Sequence, residues 1–321
     1  MIISTKHLFG LVLLLMLIGC RSRDPRKLVA IIVPSQDNPY FATEAKAAAQ
    51  RATELGYRVR VDTHNDDAYR QDNLIDVAIA SNAAILILDN AGTDASISAV
   101  RRATKAGIAC FLIDREIAAR GIARAQIVSD NDQGARLVAA EFAQTMNHKG
   151  NYAELLGRES DTNAQVRTHG FHAVLDHDAG LTLVAAQSAN WSQSEAFQKT
   201  ETILQAHEDI EGIIAGNDTM ALGAAAAVKS AGLTGIRIVG FDGSPDAISA
   251  ISRGEIQATA LQPAVLISRL AMDEADRFLK TGSTGKPEIQ IIPCDLVTRE
   301  NAAEYSNFER TSKKTVEEPR Q

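Results

Sequence analysis

The sequence predicts an α/β protein built as two doubly wound parallel-sheet lobes. Three observations predict it. Short apolar runs without polar alternation recur from Leu28 onwards, the pattern of parallel strands covered on both faces. Amphipathic stretches of helical length separate the runs, and a repeating strand–helix order builds sheets through right-handed crossovers. About ten strands exceed one comfortable open sheet, whereas two sheets of about five strands each suit a chain long enough for two domains.

In chain order, the first element lies outside this pattern. Lys6 and His7 precede an apolar run over residues 8–18, too short to span a bilayer as a mature helix and shaped like a secretory signal. It ends in Leu17-Ile18-Gly19-Cys20, which resembles the lipobox of bacterial lipoproteins, where the cysteine is diacylated and becomes the first mature residue. A signal peptide over residues 1–19, lipidation at Cys20 and a polar tether over residues 20–26 are therefore expected. The mature chain then presents apolar runs at 28–33, 85–88, 109–113, 212–215 and 236–241. Helices are expected over 41–55, 72–81, 95–106, 133–146, 164–176, 194–206 and 219–231. Several are followed by glycine (Gly56, Gly107, Gly232), the usual C-terminal signal. Residues 307–321 read as a disordered tail.

Lys and Arg number 33 against 40 Asp and Glu, and loss of residues 1–19 would remove one Lys and no acid. An acidic chain lacks the basic footprint that nucleic acid requires. With Cys20 assigned to the anchor, Cys110 and Cys294 remain; their separate apolar contexts suit two buried thiols.

Ligands of doubly wound sheets bind beyond the carboxyl ends of the strands, so the residues after each run are the candidates. Asn38, Tyr40 and Phe41 follow the first run, Asp89 the second, Asp114 and Arg115 the third. Asn217 and Asp218 follow the fourth, Asp242 and Ser244 the fifth, and Gln262 follows a run ending at Leu261. Trp191, the only tryptophan, ends another strand-like segment. This set suits a polyol: carboxylates accept, guanidinium groups donate in a fixed fork, and amides do both. Aromatic rings cover the apolar C–H face of a sugar. Each unmet buried hydroxyl costs about 1–3 kcal/mol, so such a site is selective. The same residue types also cap helices, a role that fits Asn217, Asp218 and Ser244 equally. Phe41 fits a core, and Asp114 with Arg115 fits a structural ion pair. Recurrence at successive strand ends favours binding.

Four strings carry a family resemblance: Asn38-Pro39-Tyr40-Phe41, Asp114-Arg115, the run from Asn217 to Gly223, and Val239-Gly240-Phe241-Asp242-Gly243. In order and spacing they resemble the type I periplasmic sugar-binding family, which shares its core with lac-type repressors, and its ribose-binding branch in particular. The resemblance runs from about residue 27 to residue 301. It implies lobes of residues 27–129 plus 263–291 and 130–262 plus 292–306, joined by a three-strand hinge near 129–131, 262–263 and 291–293. It implies that Tyr40, Phe41 and Trp191 sandwich a sugar ring. Asn38, Asp89, Asp114 and Arg115 would hold hydroxyls from the N-terminal lobe, and Arg167, Asn217, Asp242 and Gln262 from the other. The implied activity is reversible binding of a small monosaccharide, ribose or a related pentose, by a monomer without a cofactor. An ABC permease and its ATPase would receive the sugar at the periplasmic or outer surface of a membrane. A sensor presenting a sugar or a xylitol-like polyol to a membrane receptor fits the same residues. Asp89, Tyr40 and Trp191 depart from the ribose branch, which has Asn and two Phe there. A carboxylate at 89 lacks the amide donor and requires a hydroxyl that donates.

Other functions fit less well. A repressor needs a basic helix-turn-helix where this chain has a signal-like segment. No G-x-G-x-x-G, P-loop or G-x-S-x-G pattern marks an enzyme. His169, His172 and His177 lack accompanying ligands at metal-binding spacing, and Arg167 nearby would repel a cation.

Overall fold

The computed structural model describes residues 26–311. The signal-like segment, Cys20 and the tether through residue 25 lie outside them, as do residues 312–321. The first lobe contains β1 (Leu28–Val33), α1 (Pro39–Glu54), β2 (Arg58–Thr63), α2 (Ala68–Ala80), β3 (Ile85–Leu88), α3 (Ile97–Lys105), β4 (Ala109–Ile113) and β5 (Ala125–Ser129). The second contains α4 (Asn131–Thr145), β6 (Gly150–Leu156), α5 (Thr162–Leu175), β7 (Leu181–Ser188), α6 (Gln193–Ala206), β8 (Ile210–Ala215), α7 (Asp218–Ser230), β9 (Arg237–Asp242), α8 (Pro245–Arg253) and β10 (Ala258–Leu261). The chain then returns to the first lobe as α9 (Ala264–Thr281) and β11 (Ile289–Ile292), and crosses again into β12 (Asp295–Thr298).

The two-lobed α/β architecture is the one the sequence predicts, with six strands in each sheet. The orders are β11-β5-β4-β3-β1-β2 and β12-β10-β9-β8-β6-β7. Within these two sheets every pairing is parallel except β10 with β12. The additional strands lie mostly at edges. β2 reads Arg-Val-Arg-Val-Asp-Thr and β7 is half-exposed, so neither has the continuous apolar run of a central strand. In β1, by contrast, Val29, Ile31 and Val33 pack under α1 and α9, while Leu28, Ala30 and Ile32 pack under α2 and α3. The second sheet is likewise covered by α6, α7 and α8 on one face and by α4 and α5 on the other.

Local chemistry sets the helix ends. Asn38 and Asn217 cap α1 and α7, their side-chain oxygens accepting from Tyr40 N and Met220 N at 2.9 Å each. Pro39 opens α1 at a position whose N–H has no helical partner. Gly56 and Gly107 follow α1 and α3 at φ +87° and +89°, where a side chain is disfavoured.

Two of the three crossings between lobes are tied together. Asp130 N donates to Ile292 O at 2.7 Å, and the Gln133 side-chain amide pairs with both main-chain groups of Cys294 at 3.1 and 2.9 Å. Cys110 and Cys294 are buried free thiols, one in each lobe. The tail expectation needs correction over residues 307–311. A hairpin of β13 (Tyr305–Ser306) and β14 (Glu309–Arg310) turns at Phe308, whose ring is fully buried against Tyr40. A large ring that fills a core cavity holds the chain there, against the low-complexity look of its neighbours.

Candidate functional site

The carboxyl ends of both sheets face one narrow, nearly filled cleft with only about 10 Å³ of free space. Asn38, Tyr40 and Phe41 reach it from the start of α1, and Asp114 with Arg115 from the end of β4. The opposite wall holds Arg167 from α5, Trp191 from the loop after β7, Asn217 from the α7 cap and Asp242 from the end of β9; Gln262 enters at a crossing. Of the residues the resemblance implies, only Asp89 is absent from the wall; its Oδ1 lies 3.5 Å from Arg115 Nε. The strand-end candidates Asp218 and Ser244 are also absent from it and bond to each other beneath the loop carrying Asp242. The wall also includes Asp161 and Asn163, which sequence reasoning missed. A wider, open groove shares Asn38, Phe41 and Trp191 with this cleft and is walled mostly by partly buried residues of loops and of α6 and α7.

Three of these residues sit on backbone that favours glycine: Asp114 at φ +59°, Trp191 at +65° and Asp242 at +120°. Such conformations cost about 1–3 kcal/mol each and concentrate where side chains must be aimed. Trp191 is aimed onto bare backbone: a Cβ on Gly157 would lie 2.0 Å from its Cη2, so only glycine admits the ring.

The side chains are partly committed to one another. Arg167 donates from Nε to Asn131 Oδ1 (2.7 Å) and from Nη1 to Gly216 O (2.9 Å), and pairs with Asp242 Oδ1 at 3.3 Å. Its guanidinium lies over the Phe241 ring at 4.0 Å and near Trp191 at 5.4 Å. Gln262 Nε2 donates to Asp242 Oδ1 at 2.8 Å, leaving Gln262 Oε1 buried without a donor among the described residues. The caps at Asn38 and Asn217 use the amide oxygen and leave the NH2 half for the cleft. Asp218, fully buried, accepts from Ser244 N (2.6 Å) and Thr259 Oγ1 (2.7 Å), which anchors the loop carrying Asp242. Tyr40 packs edge-on between Phe41 and Phe308, and Phe41 lies under Arg115 at 5.0 Å.

The lobes are closed on each other. Arg115 Nε is 2.8 Å from Asp161 Oδ2, and Asn163 Nδ2 donates to Asp114 Oδ1 at 3.3 Å. Thr93 Oγ1 meets Thr162 Oγ1 at 3.2 Å, and Arg158 stands 3.6 Å from Asp66. Burial governs the electrostatics. It pushes Asp114 up to about 6, Asp218 up to about 7 and Asp242 well above the carboxylate range, with Arg115 opposing at Asp114 and Arg167 opposing at Asp242. Burial would raise Asp66 too, but Arg115 and Arg158 overturn that and hold it below its ordinary value. His172 belongs to a different network, bonded to Glu154 (3.1 Å) and Asp176 (2.9 Å) on the second lobe.

Comparison with known proteins follows the same lines. The family model described as "Periplasmic binding protein domain" matches residues 29–284. A D-apiose import binding protein of Paraburkholderia graminis is 56% identical over 88% of this chain and 90% of its own. A ribose import binding protein of Haemophilus influenzae is 33% identical over 86% of this chain and 92% of its own. The crystal structure of a periplasmic solute-binding protein from Actinobacillus succinogenes with bound D-allose superposes with a TM-score of 0.82, at 28% identity, over 87% of this chain and 100% of that one.

Proposed function

Since this chain belongs to the family of periplasmic binding proteins, which hold a substrate without transforming it, we propose that it delivers a monosaccharide of pentose size to an ABC-type importer. D-Apiose is the first candidate ligand, because the 56% identical relative carries that name, and ribose is the second. The observation that supports this reading best is the closed cleft. Carboxylates, amides and guanidinium groups from both lobes converge on it, and the protein itself leaves hydrogen-bonding capacity there unspent. With only about 10 Å³ free, room for about one water, the closed cleft admits a sugar only as the lobes part and Arg167, Gln262 and Asp242 exchange their mutual contacts for its hydroxyls. Phe41 and Trp191 supply the aromatic surface for its C–H faces. The ligand closes the lobes by binding both at once.

A thermal-shift panel of D-apiose, D-ribose, D-allose, myo-inositol and xylitol tests the reading. A ligand at about a hundred times its Kd stabilises the native state by roughly 2.7 kcal/mol. No shift with any of the five overturns it. The anchor is part of the proposal. Cys20 lies outside the described residues, and Cys20→Ala is expected to move the protein from the membrane to the soluble fraction; unchanged partition refutes lipidation.

A further inference from the structure

Glu44 lies one turn beyond Tyr40 on α1 and is fully buried. Both of its carboxyl oxygens lack a hydrogen-bond donor among the described residues, and so do both oxygens of buried Asp89 at the end of β3. The two carboxyl groups, both buried and unpartnered, face each other in one dry site. Two bare carboxylates do not share a dry site, and the cheaper state is a proton between them.

The surrounding charges support that state. β4 contributes Asp114 and Arg115, and the segment after β2 contributes Asp66 and His64. His64 Nε2 lies 2.8 Å from Asp89 O while its Nδ1 accepts from Asp66 N, so the ring is neutral and donates to the main chain. The second lobe contributes Asp161 towards Asp89, and Tyr40 on α1 itself faces Glu44 and Asp242. Along α1, α9 pairs Arg269 and Asp273 with Glu54 and Arg51, two turns or more from Glu44. Arg115 is thus the nearest cation, and it is shared among Asp66 (2.8 Å), Asp161 (2.8 Å) and Asp89 (3.5 Å).

We propose that Glu44 and Asp89 share one proton at neutral pH and act together as a positioning device for Arg115. The proposal rests on the sugar-binding reading of the cleft. With the proton in place, the pair behind Arg115 carries one negative charge, and Asp161 on the opposite lobe is the guanidinium's closer partner. Loss of the proton doubles the charge behind Arg115 and draws it back into its own lobe, away from the sugar and from Asp161. Burial, with the facing acids, keeps both groups well above the ordinary carboxylate range, against the pull of Arg115. Sugar affinity therefore falls as pH rises.

Two measurements test this independently. Infrared difference spectra at neutral pH, wild type minus Glu44→Gln, are expected to show the C=O stretch of an un-ionised carboxylic acid without any sugar present; no such band overturns the proposal even if sugar binds. Calorimetric titration with D-apiose, and with D-ribose in parallel, reads the second consequence. Wild-type affinity is expected to fall about tenfold or more from neutral to strongly alkaline pH, as the shared proton is lost. Glu44→Gln, which keeps a donor but cannot ionise, is expected to flatten that profile, and Asp89→Asn likewise. Glu44→Met, which removes the donor, is expected to bind about tenfold more weakly than Glu44→Gln at every pH. Profiles that stay parallel to wild type in both Glu44→Gln and Asp89→Asn overturn the proposal. Failure of wild type to bind either sugar counts against the ligand reading alone, because the infrared band decides the proton.

Discussion

Arg115 Nε lies 2.8 Å from Asp161 Oδ2, and the two residues belong to opposite lobes. The same carboxylate oxygen accepts from Trp191 Nε1 at 3.1 Å, so one side chain joins a cation of the first lobe to the aromatic ring of the second. Opening the cleft would return these charges to water, so the pair stabilises the closed state and costs the open state little. Asp161→Asn, which keeps an oxygen to cap α5 but loses the charge facing Arg115, is accordingly expected to weaken sugar binding by about tenfold or more while changing the melting temperature without sugar little. Titration calorimetry beside a thermal melt reads both. Full affinity in the variant would remove Asp161 from the closing contact.

Arg167 behaves differently, because its partners lie within or beside its own lobe. It satisfies Asn131 at a crossing, Gly216 O and the buried Asp242, and sits over Phe241. Arg167→Ala leaves Asp242 without its cation, and breaking a buried pair on one side costs about 3–5 kcal/mol. The expected result is loss of sugar binding together with a lowered melting temperature. A variant that binds no sugar yet melts like wild type would show that the arginine serves the ligand alone.

These assignments show how far the site was legible in the chain. Strand-end residues such as Asn38, Asp114 and Asp242 stood out because central strands read as unbroken apolar runs, and the fold gathers their carboxyl ends. Asp161 and Asn163 follow β6, whose Asn151 and Glu154 interrupt the apolar run, so no strand end announced them. The available signal was Asp161 itself, which caps α5 by accepting from Asn163 N. Glu44 was hidden for another reason. It occupies an inward position of a helix whose other buried positions are Tyr40, Phe41, Ala45, Ala47, Ala48 and Ala52, and an acid in such a stripe is the sign that marks it. Phe308 had no periodic neighbours to mark it, since its burial depends on Tyr40, more than two hundred residues away in sequence.

Because Trp191 is the only tryptophan and lines the cleft, its fluorescence is a native reporter of binding. Addition of the correct sugar is expected to shift the emission maximum or change its intensity, in a saturable way. Gly157→Ala tests the placement of the ring. The added methyl meets the indole within van der Waals contact, and overpacking of this kind costs about 1–3 kcal/mol. The ring is expected to turn outwards, with red-shifted emission and weakened sugar binding. Unchanged emission in the variant would mean that the indole rests elsewhere.

The last prediction concerns stability away from the cleft. Hydrogen bonding to buried Glu154, and then to Asp176, raises His172 from its ordinary value to about 9. A histidine whose folded value is raised takes up its proton more readily in the folded state. Its contribution is therefore complete below the unfolded value of about 6.5 and is lost as pH climbs through about 9. His172 is about a third exposed, so solvent screening reduces the effect to the order of 1 kcal/mol. His172→Gln is expected to lower the melting temperature measurably in mildly acidic buffer and to match wild type in strongly alkaline buffer. The gap between the two proteins should close across the interval from about 6.5 to 9, and a gap independent of pH would show that the imidazole acts by packing and not by charge.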